Sequence, residues 1–392
     1  MIVDTRTLLL DRLLPWWAEA AWDPRDGGFV AELGQDGGQI RETSRLLLVQ
    51  ARMLYVLSHA HRLGAGPFAL HAAGRLRAFL EEWFRLDDGA WARAAAPEAG
   101  GTRDGLVDFY DQSFVLHGLA WWYRASGDPR TPADAVATLA ALDRRLADPA
   151  AGGYFEDDTR RLPRRQNPHM HLLEAMHAWF EATGDQLWLD RAEAVVALFR
   201  SRFLDEATGT LREFLDAGLA PADGPAGSWR EPGHHMEWVW LLLHHRRLTG
   251  RGDDLGAAAE RLWETAEAHG VDLSGHLVEA VDRGGRVLDP NRLLWPQTEA
   301  VKAALARTEM LGADPAPADR FLKVLLAHHM PAGGPLWINR LSPEGVPLGG
   351  TMPTRILYHL TLALAEYARL RPSFAATGPA GRTAPDRIGA PA

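Results

Sequence analysis

The sequence predicts an all-α fold, a closed α/α ring of six helical hairpins, on three observations. First, a glycine followed closely by an aromatic recurs about every sixty residues, in DGGFV (26–30), DDGAW (87–91), AGGYF (151–155) and AGGPLW (332–337), with two weaker copies between, TGTLREF (208–214) and RGGRV (283–287). A period of that size fits two helices and their connections. Second, the stretches between these glycines carry apolar residues at three- and four-residue spacing, the signature of helices with a buried face. Third, long alternating strand patterns are absent. An open helical solenoid is the alternative arrangement of the same hairpins.

In chain order, the first helix is expected over 5–20. Asp4, Arg6, Asp11 and Arg12 stand among its leucines, which excludes a signal-peptide core. Five pairs follow: 43–63 with 68–86, 108–126 with 131–147, 169–184 with 187–203, 235–250 with 254–270, and 294–312 with 316–330. A last helix over 353–370 completes twelve. The breaks ASGDPRTP (125–132), ATGDQ (182–186) and LTGRGDD (248–254) place helix stop and start signals back to back. One domain over 1–373 is expected. The Gly/Pro/Ala-rich tail 374–392 reads as disordered.

Composition narrows the functions. A net charge of −9 without a dense basic block argues against nucleic-acid or polybasic membrane partners. The densest basic run, RLPRR (161–165), reads as a solvated loop. The absence of cysteine excludes disulfides, thiolate metal sites and a cysteine nucleophile. No apolar run approaches the roughly 20 residues needed to span a bilayer. A cytoplasmic monomer or homodimer acting on a small molecule is the expectation.

If outer and inner helices alternate, the helix after each Gly–aromatic loop is an inner one, and all inner helices open on one end of the ring. Conspicuous polar residues collect near that end: Arg52; Tyr110 and Asp111; Asn167, His169 and His171; His234, His235 and Glu237; Trp295, Gln297 and Glu299; Tyr358 and His359. Singly, each has a structural explanation, such as a helix-start charge complementing the macrodipole for Asp111 and Glu299. Together they predict a pocket. His244, His245, His328 and His329 fall at the far ends of their helices and read as structural. Residues three or four apart share a helix face, so His234 neighbours Glu237 and Asn167 neighbours His171, while His235 turns away by about 100°. A metal site built on His234, Glu237, His171 and Glu299 and a two-carboxylate glycosidase are both open on these residues. The surplus of histidine over carboxylate favours proton transfer at a carbon beside a carbonyl.

The motifs QARMLYVLSHA (50–60), FYDQSFVLHGLA (109–120), QNPHMHLLEA (166–175), EPGHHMEWVWLL (231–242), LWPQTEAVKA (294–303) and MPTRILYHL (352–360) resemble, in order and over nearly the whole chain, the N-acylglucosamine 2-epimerase superfamily. The resemblance implies an (α/α)6 barrel and a metal- and cofactor-independent sugar isomerase or 2-epimerase. It implies that His234 and His359 are the acid–base pair and that Arg52 stabilises the enediolate oxygen. It further implies that His171 and Asn167 hold the sugar and assist ring opening, and that Tyr110, Glu237, Trp295 and Glu299 complete the pocket. Leu294 and Tyr55 depart from tryptophans frequent in the superfamily, which bears on sugar specificity. The PGHHMEW and MPTRILYHL forms are more similar to its monosaccharide isomerases than to its disaccharide epimerases, so mannose–fructose interconversion is expected, with 2-epimerisation as the alternative.

Overall fold

The computed structural model describes residues 4–97 and 101–376, with side chains to residue 371. Six inner helices, Leu47–Arg62, Phe109–Ser126, Asn167–Thr183, Pro232–Thr249, Leu294–Leu311 and Leu357–Ala376, pack each against the next, and the last returns to the first. The ring is closed, an (α/α)6 barrel, and the open solenoid is excluded. Outer helices Pro67–Trp83, Thr131–Leu146, 186–203, Asp253–Gly270 and 316–329 each cover the inner helix before them. The N-terminal helix, 5–20, covers the last inner one. Among the described residues no helix is long and apolar enough to cross a membrane. The last helix continues past 373 to Ala376, and the rest of the expected tail lies outside the described residues.

Inner helices are buried on nearly every side, as the unbroken buried run Pro168–Trp179 illustrates. They are therefore largely apolar, with polar side chains toward the barrel axis and toward the loop that precedes each helix. Four of them end alike: Gly127, Gly184, Gly250 and Gly312 adopt the left-handed conformation at the C-terminus. Their backbone N–H groups return to carbonyls one turn earlier, which satisfies groups the helix leaves open.

The sixty-residue repeat has a physical basis that the glycines only mark. In repeat one, Gln50 accepts a hydrogen bond from the Phe29 N–H (2.8 Å) and donates to the Phe29 carbonyl (2.8 Å). Gln112 clamps Trp91 in the same two-sided way, at 3.1 and 2.9 Å. Gln297 clamps Leu277, at 2.9 Å on both sides. In repeats three and four a histidine takes this position: His169 Nε2 accepts from Tyr154 N–H (3.0 Å) and His235 Nε2 from Leu211 N–H (3.1 Å). Met352 Sδ accepts from Trp337 N–H in repeat six. The first five inner helices thus pin the loops that precede them, and in repeat six the strand leading to the helix, Thr351–Pro353, does so. Gly28 shows why glycine is required: its φ is +72°, and a Cβ would come within 2.5 Å of the Phe79 ring.

Two expectations need correction. The fifth copy of the repeat is not RGGRV around Gly285, which turns a small hairpin between Val281 and Val287, but DLSGHL (272–277), whose Leu277 is the clamped residue. An apolar side chain suffices there, so the aromatic was not the constraint. The second correction concerns RLPRR. Arg161 is exposed, but Arg164 is fully buried and donates to Asp148 (2.7 Å) and to the Gly152 and Tyr154 carbonyls. It locks the turn of repeat three, as buried Arg45 with Asp23 does in repeat one.

Candidate active site

The clamp fixes which side chains face the axis. On a helix, two residues correspond to about 200°, so when the clamping residue points outward its neighbours at plus and minus two point inward. The residues two after Gln50, His169, His235 and Gln297 are Arg52, His171, Glu237 and Glu299. Those two before Gln112, His169 and Gln297 are Tyr110, Asn167 and Trp295. All are among the residues expected from sequence to form the site. Arg52, Tyr110, Asn167, His171, His234, Glu237, Trp295 and His359 line one cavity of about 390 Å³ at the end of the barrel where the inner helices begin.

Glu299 is the exception. It is completely buried behind His359 and does not line the cavity; its role in completing the pocket is corrected to that of a support. His359 Nδ1 is 2.7 Å from one Glu299 oxygen, and the other oxygen is 2.5 Å from the ammonium of fully buried Lys302. Burial would favour the protonated acid, but Lys302 and the His359 hydrogen bond hold Glu299 below the usual carboxylate range. His359 therefore donates Nδ1–H to a carboxylate and turns Nε2 to the cavity. Burial lowers its pKa to about 4, so the ring is neutral at pH 7.

His234 is arranged the other way. Its Nδ1 lies 2.9 Å from Glu213 and 3.2 Å from Glu231. Burial opposes the charged ring, yet these two carboxylates overcome it and lift the pKa to about 10. Glu213 is held in turn by Gln166 (2.9 Å), whose amide oxygen accepts from the Trp238 indole (2.7 Å). Burial raises Glu231 to about 7 against the pull of His234. Trp295 spans the gap between the imidazoles, its ring centre 4.9 Å from His234 and 5.6 Å from His359. Gly233 admits that indole, since a Cβ would meet it at 2.6 Å.

The remaining wall is cationic and hydrogen-bonding. Arg52 stacks 4.1 Å over Phe114 and donates to the Tyr110 hydroxyl (2.8 Å) and the Arg355 carbonyl (3.2 Å). His171 is neutral, lowered to about 3 by burial, and contacts Glu174 at 3.2 Å. Burial, with Glu299 nearby, pushes Glu237 well above its ordinary value. His235 points away, its Nδ1 2.8 Å from the Glu231 carbonyl, and belongs to the clamp.

The N-acylglucosamine 2-epimerase (GlcNAc 2-epimerase) family matches residues 27–363. This chain belongs to that family. It is 35% identical over 379 residues to a mannose-6-phosphate isomerase of Rhizobium meliloti (strain 1021), covering 91% of this chain and 94% of the relative. It is 25% identical over 313 residues to a cellobiose 2-epimerase of Bacteroides fragilis, covering 75% and 78%. The solved structure of cellobiose 2-epimerase from Spirochaeta thermophila DSM 6192 superposes with a TM-score of 0.83 at 25% identity, over 95% of this chain and 96% of that one. The chain is thus an isomerase acting on carbohydrates.

Within this epimerase-family barrel, two trios offer donor atoms within 4.8 Å of one another, Glu213–Glu231–His234 and Glu237–Glu299–His359. In both, the histidine Nδ1 already faces a carboxylate, and in the second the Lys302 ammonium pairs with Glu299. Sequence reading did not single out Glu213, Glu231, Lys302, Asn339, Arg165 or Arg355. A signal for two of them existed: Glu213 and Asn339 each lie two residues past a clamped position, Leu211 and Trp337.

Proposed function

We propose that this protein interconverts an aldose and a ketose of the mannose–fructose type by proton transfer through a cis-enediolate. The observation that carries the reading is the pair of histidines flanking one cavity with pKa values pushed in opposite directions, an acid and a base by environment. Orphaned Oδ1 atoms of Asn167 and Asn339 on the cavity wall support a substrate rich in hydroxyl donors.

Neutral His359 removes the proton from C2 of the open-chain aldose. The C2–H electrons form the C1–C2 double bond, and the carbonyl electrons move to O1, where Arg52 and the His234 imidazolium stabilise the negative charge. His234 gives O1 its proton and takes one from O2, while His359 returns its proton to C1. Ketose results, and both histidines regain their starting states. His171 and Asn167 orient the hydroxyls, and Tyr110, Glu237 and Trp295 shape the pocket. No step calls for a metal, and we expect activity to survive dialysis against EDTA; loss of activity restored by a divalent ion would overturn that point.

Delivery of the proton to the opposite face of C2 would give the epimer instead. Incubating the protein with mannose in D2O separates the outcomes by NMR: deuterium at C1 of fructose supports the isomerase, and deuterium at C2 of glucose supports the epimerase. Sugars left without exchange or product in any tested series would refute both.

A further inference from the structure

Helix Asn167–Thr183 carries His171, Glu174, His177 and Glu181 at three- and four-residue spacing, so the four share the face turned to the barrel axis. His171 lines the catalytic cavity. The other three line a second cavity, of about 280 Å³, in the half of the barrel where the inner helices end. Glu174 thus stands at the boundary between the two. Its Oε2 lies 3.2 Å from His171 Nδ1 and also accepts the hydroxyl of Tyr358. Its Oε1 has no hydrogen-bond partner among the described residues.

Burial works against a charge on Glu174, but His117, the His171 hydrogen bond and the Lys302 ammonium outweigh it and hold the carboxyl below its usual range. An ionised carboxylate only accepts, so the Tyr358 hydroxyl and His171 Nδ1 are both donors. Tyr358 keeps its proton, because burial and then Glu174 push its pKa well up. His171 is neutral, so its one ring proton sits on Nδ1 and its Nε2 is bare. That nitrogen lies on the cavity side, 4.0 Å from Glu237. A free neutral imidazole can carry its proton on either nitrogen, and Glu174 allows this one only if the bond is to form. The same Glu174 oxygen holds Tyr358, whose ring packs 4.6 Å from that of His359 and 4.8 Å from the Arg52 guanidinium.

We propose that Glu174 is a positioning residue that keeps His171 a one-nitrogen base for opening the sugar ring, and that anomer exchange of the aldose is therefore a separable activity of this protein. The inference rests on the isomerase reading of the same cavity, which needs an open-chain sugar. In the opening step the O1–H proton passes to His171 Nε2 and from there to O5. The O1–H electrons become the second bond of the C1 carbonyl, and the C1–O5 pair moves to O5. Both oxygens are bonded to C1, so one nitrogen serves both. The imidazole returns to its Nδ1–H form with Glu174 ionised throughout. Closure on the other face of the carbonyl gives the other anomer, with no part taken by His359.

One test needs no substrate. Nitrogen NMR of protein labelled at histidine, with His171 assigned through H171N, should show its proton on Nδ1 and a bare Nε2 at neutral pH. In the nearly isosteric E174Q both forms should appear, because an amide can accept from Nδ1–H or donate to a bare Nδ1. A wild-type ring with its proton on Nε2, or an unaltered ring in E174Q, would overturn the proposal. The second test follows exchange between the mannose anomers by NMR in H359N, where ketose formation is suppressed. Exchange above the uncatalysed rate is expected there. Adding E174Q should lower it by about 10²-fold, the lower end of what a positioned base contributes. Exchange at the uncatalysed rate in H359N, or exchange indifferent to E174Q, would equally sink it. Ketose formation with an indifferent Glu174 leaves the isomerase reading standing and removes this inference. Anomer exchange that depends on Glu174, in a wild type that yields neither ketose nor epimer, does the reverse.

Discussion

Two imidazoles on neighbouring sides of one cavity differ at neutral pH by a proton, and their carboxylate partners account for the difference. His359 has one carboxylate whose charge is already balanced by Lys302, whereas His234 has two, neither in direct ion-pair contact with a lysine or arginine among the described residues. Turnover on this scheme needs His234 charged, so activity should fall as pH rises through about 10. Glu213→Gln removes its largest favourable charge partner and should move that alkaline limb downward by a unit or more, which a kcat/KM profile reads directly. An unmoved limb would mean that another group titrates. His234→Asn and His359→Asn should each lower kcat by about 10²–10⁴-fold. The double variant should lose little more than the worse single one, since both residues serve one proton-transfer sequence. Turnover near wild type in either single variant would remove that residue from the chemistry.

At the scale of the element, the repeated clamp sorts helix positions into structural and chemical ones. Gln occupies it in repeats one, two and five and His in three and four, so the two should be interchangeable in part. His235→Gln should leave turnover near wild type and lower the melting temperature slightly. His235→Leu should cost about 1–3 kcal/mol, because a buried backbone N–H loses its acceptor. Abolished turnover in His235→Gln would place the wrong histidine in the mechanism. The same element explains what could be read from sequence. Helices announced themselves by apolar period, and Arg52, Tyr110, His171 and His359 by being polar on buried helices. Glu213 and Asn339 escaped because they lie on loops, where no periodicity says which way a side chain faces. Lys302 escaped because lysine in a helix ordinarily marks the wet face, and only the closed ring turns that face to the axis. Gly285 misled because a glycine in any tight turn looks alike until its hydrogen-bond partner is known.

For the whole molecule, the notable electrostatic feature is how many histidines are buried uncharged. Burial lowers His59, His169, His171, His235, His244 and His359 to about 3 or 4, from 6.5 in the unfolded chain. Their folded pKa values are depressed, so the unfolded chain binds more protons below pH 6.5. Their contribution to stability is whole above that pH and is lost as pH falls toward 4. Each costs about 1.4 kcal/mol per pH unit in that window. His234, raised, works in the opposite sense, but it stands against these six and against His276 and His329, also lowered to about 4. The melting temperature should therefore drop steeply between pH 6.5 and 5, before most carboxylates titrate, and unfolding should pre-empt the acid limb expected from His359. A melting temperature unchanged between pH 7 and 5 would contradict this.

Closure of the ring also sets a calendar for the molecule. Glu32–Gly34 pairs with Thr351–Pro353, and Thr354 donates to the Val30 and Ala31 carbonyls, the first of these bonds joining residues 324 positions apart. The segment stitched there is the one that carries Arg355 and leads to His359. A ribosome making this chain emits five hairpins that can dock in succession, each on the one before it. The seam must wait for the final helix. Until then the first strand offers an unpaired edge, and the base and Arg355 have no fixed place. A chain that has acquired most of its fold during synthesis thus remains catalytically inert until the seam at residues 351–354 has cleared the exit tunnel and met residues 30–34.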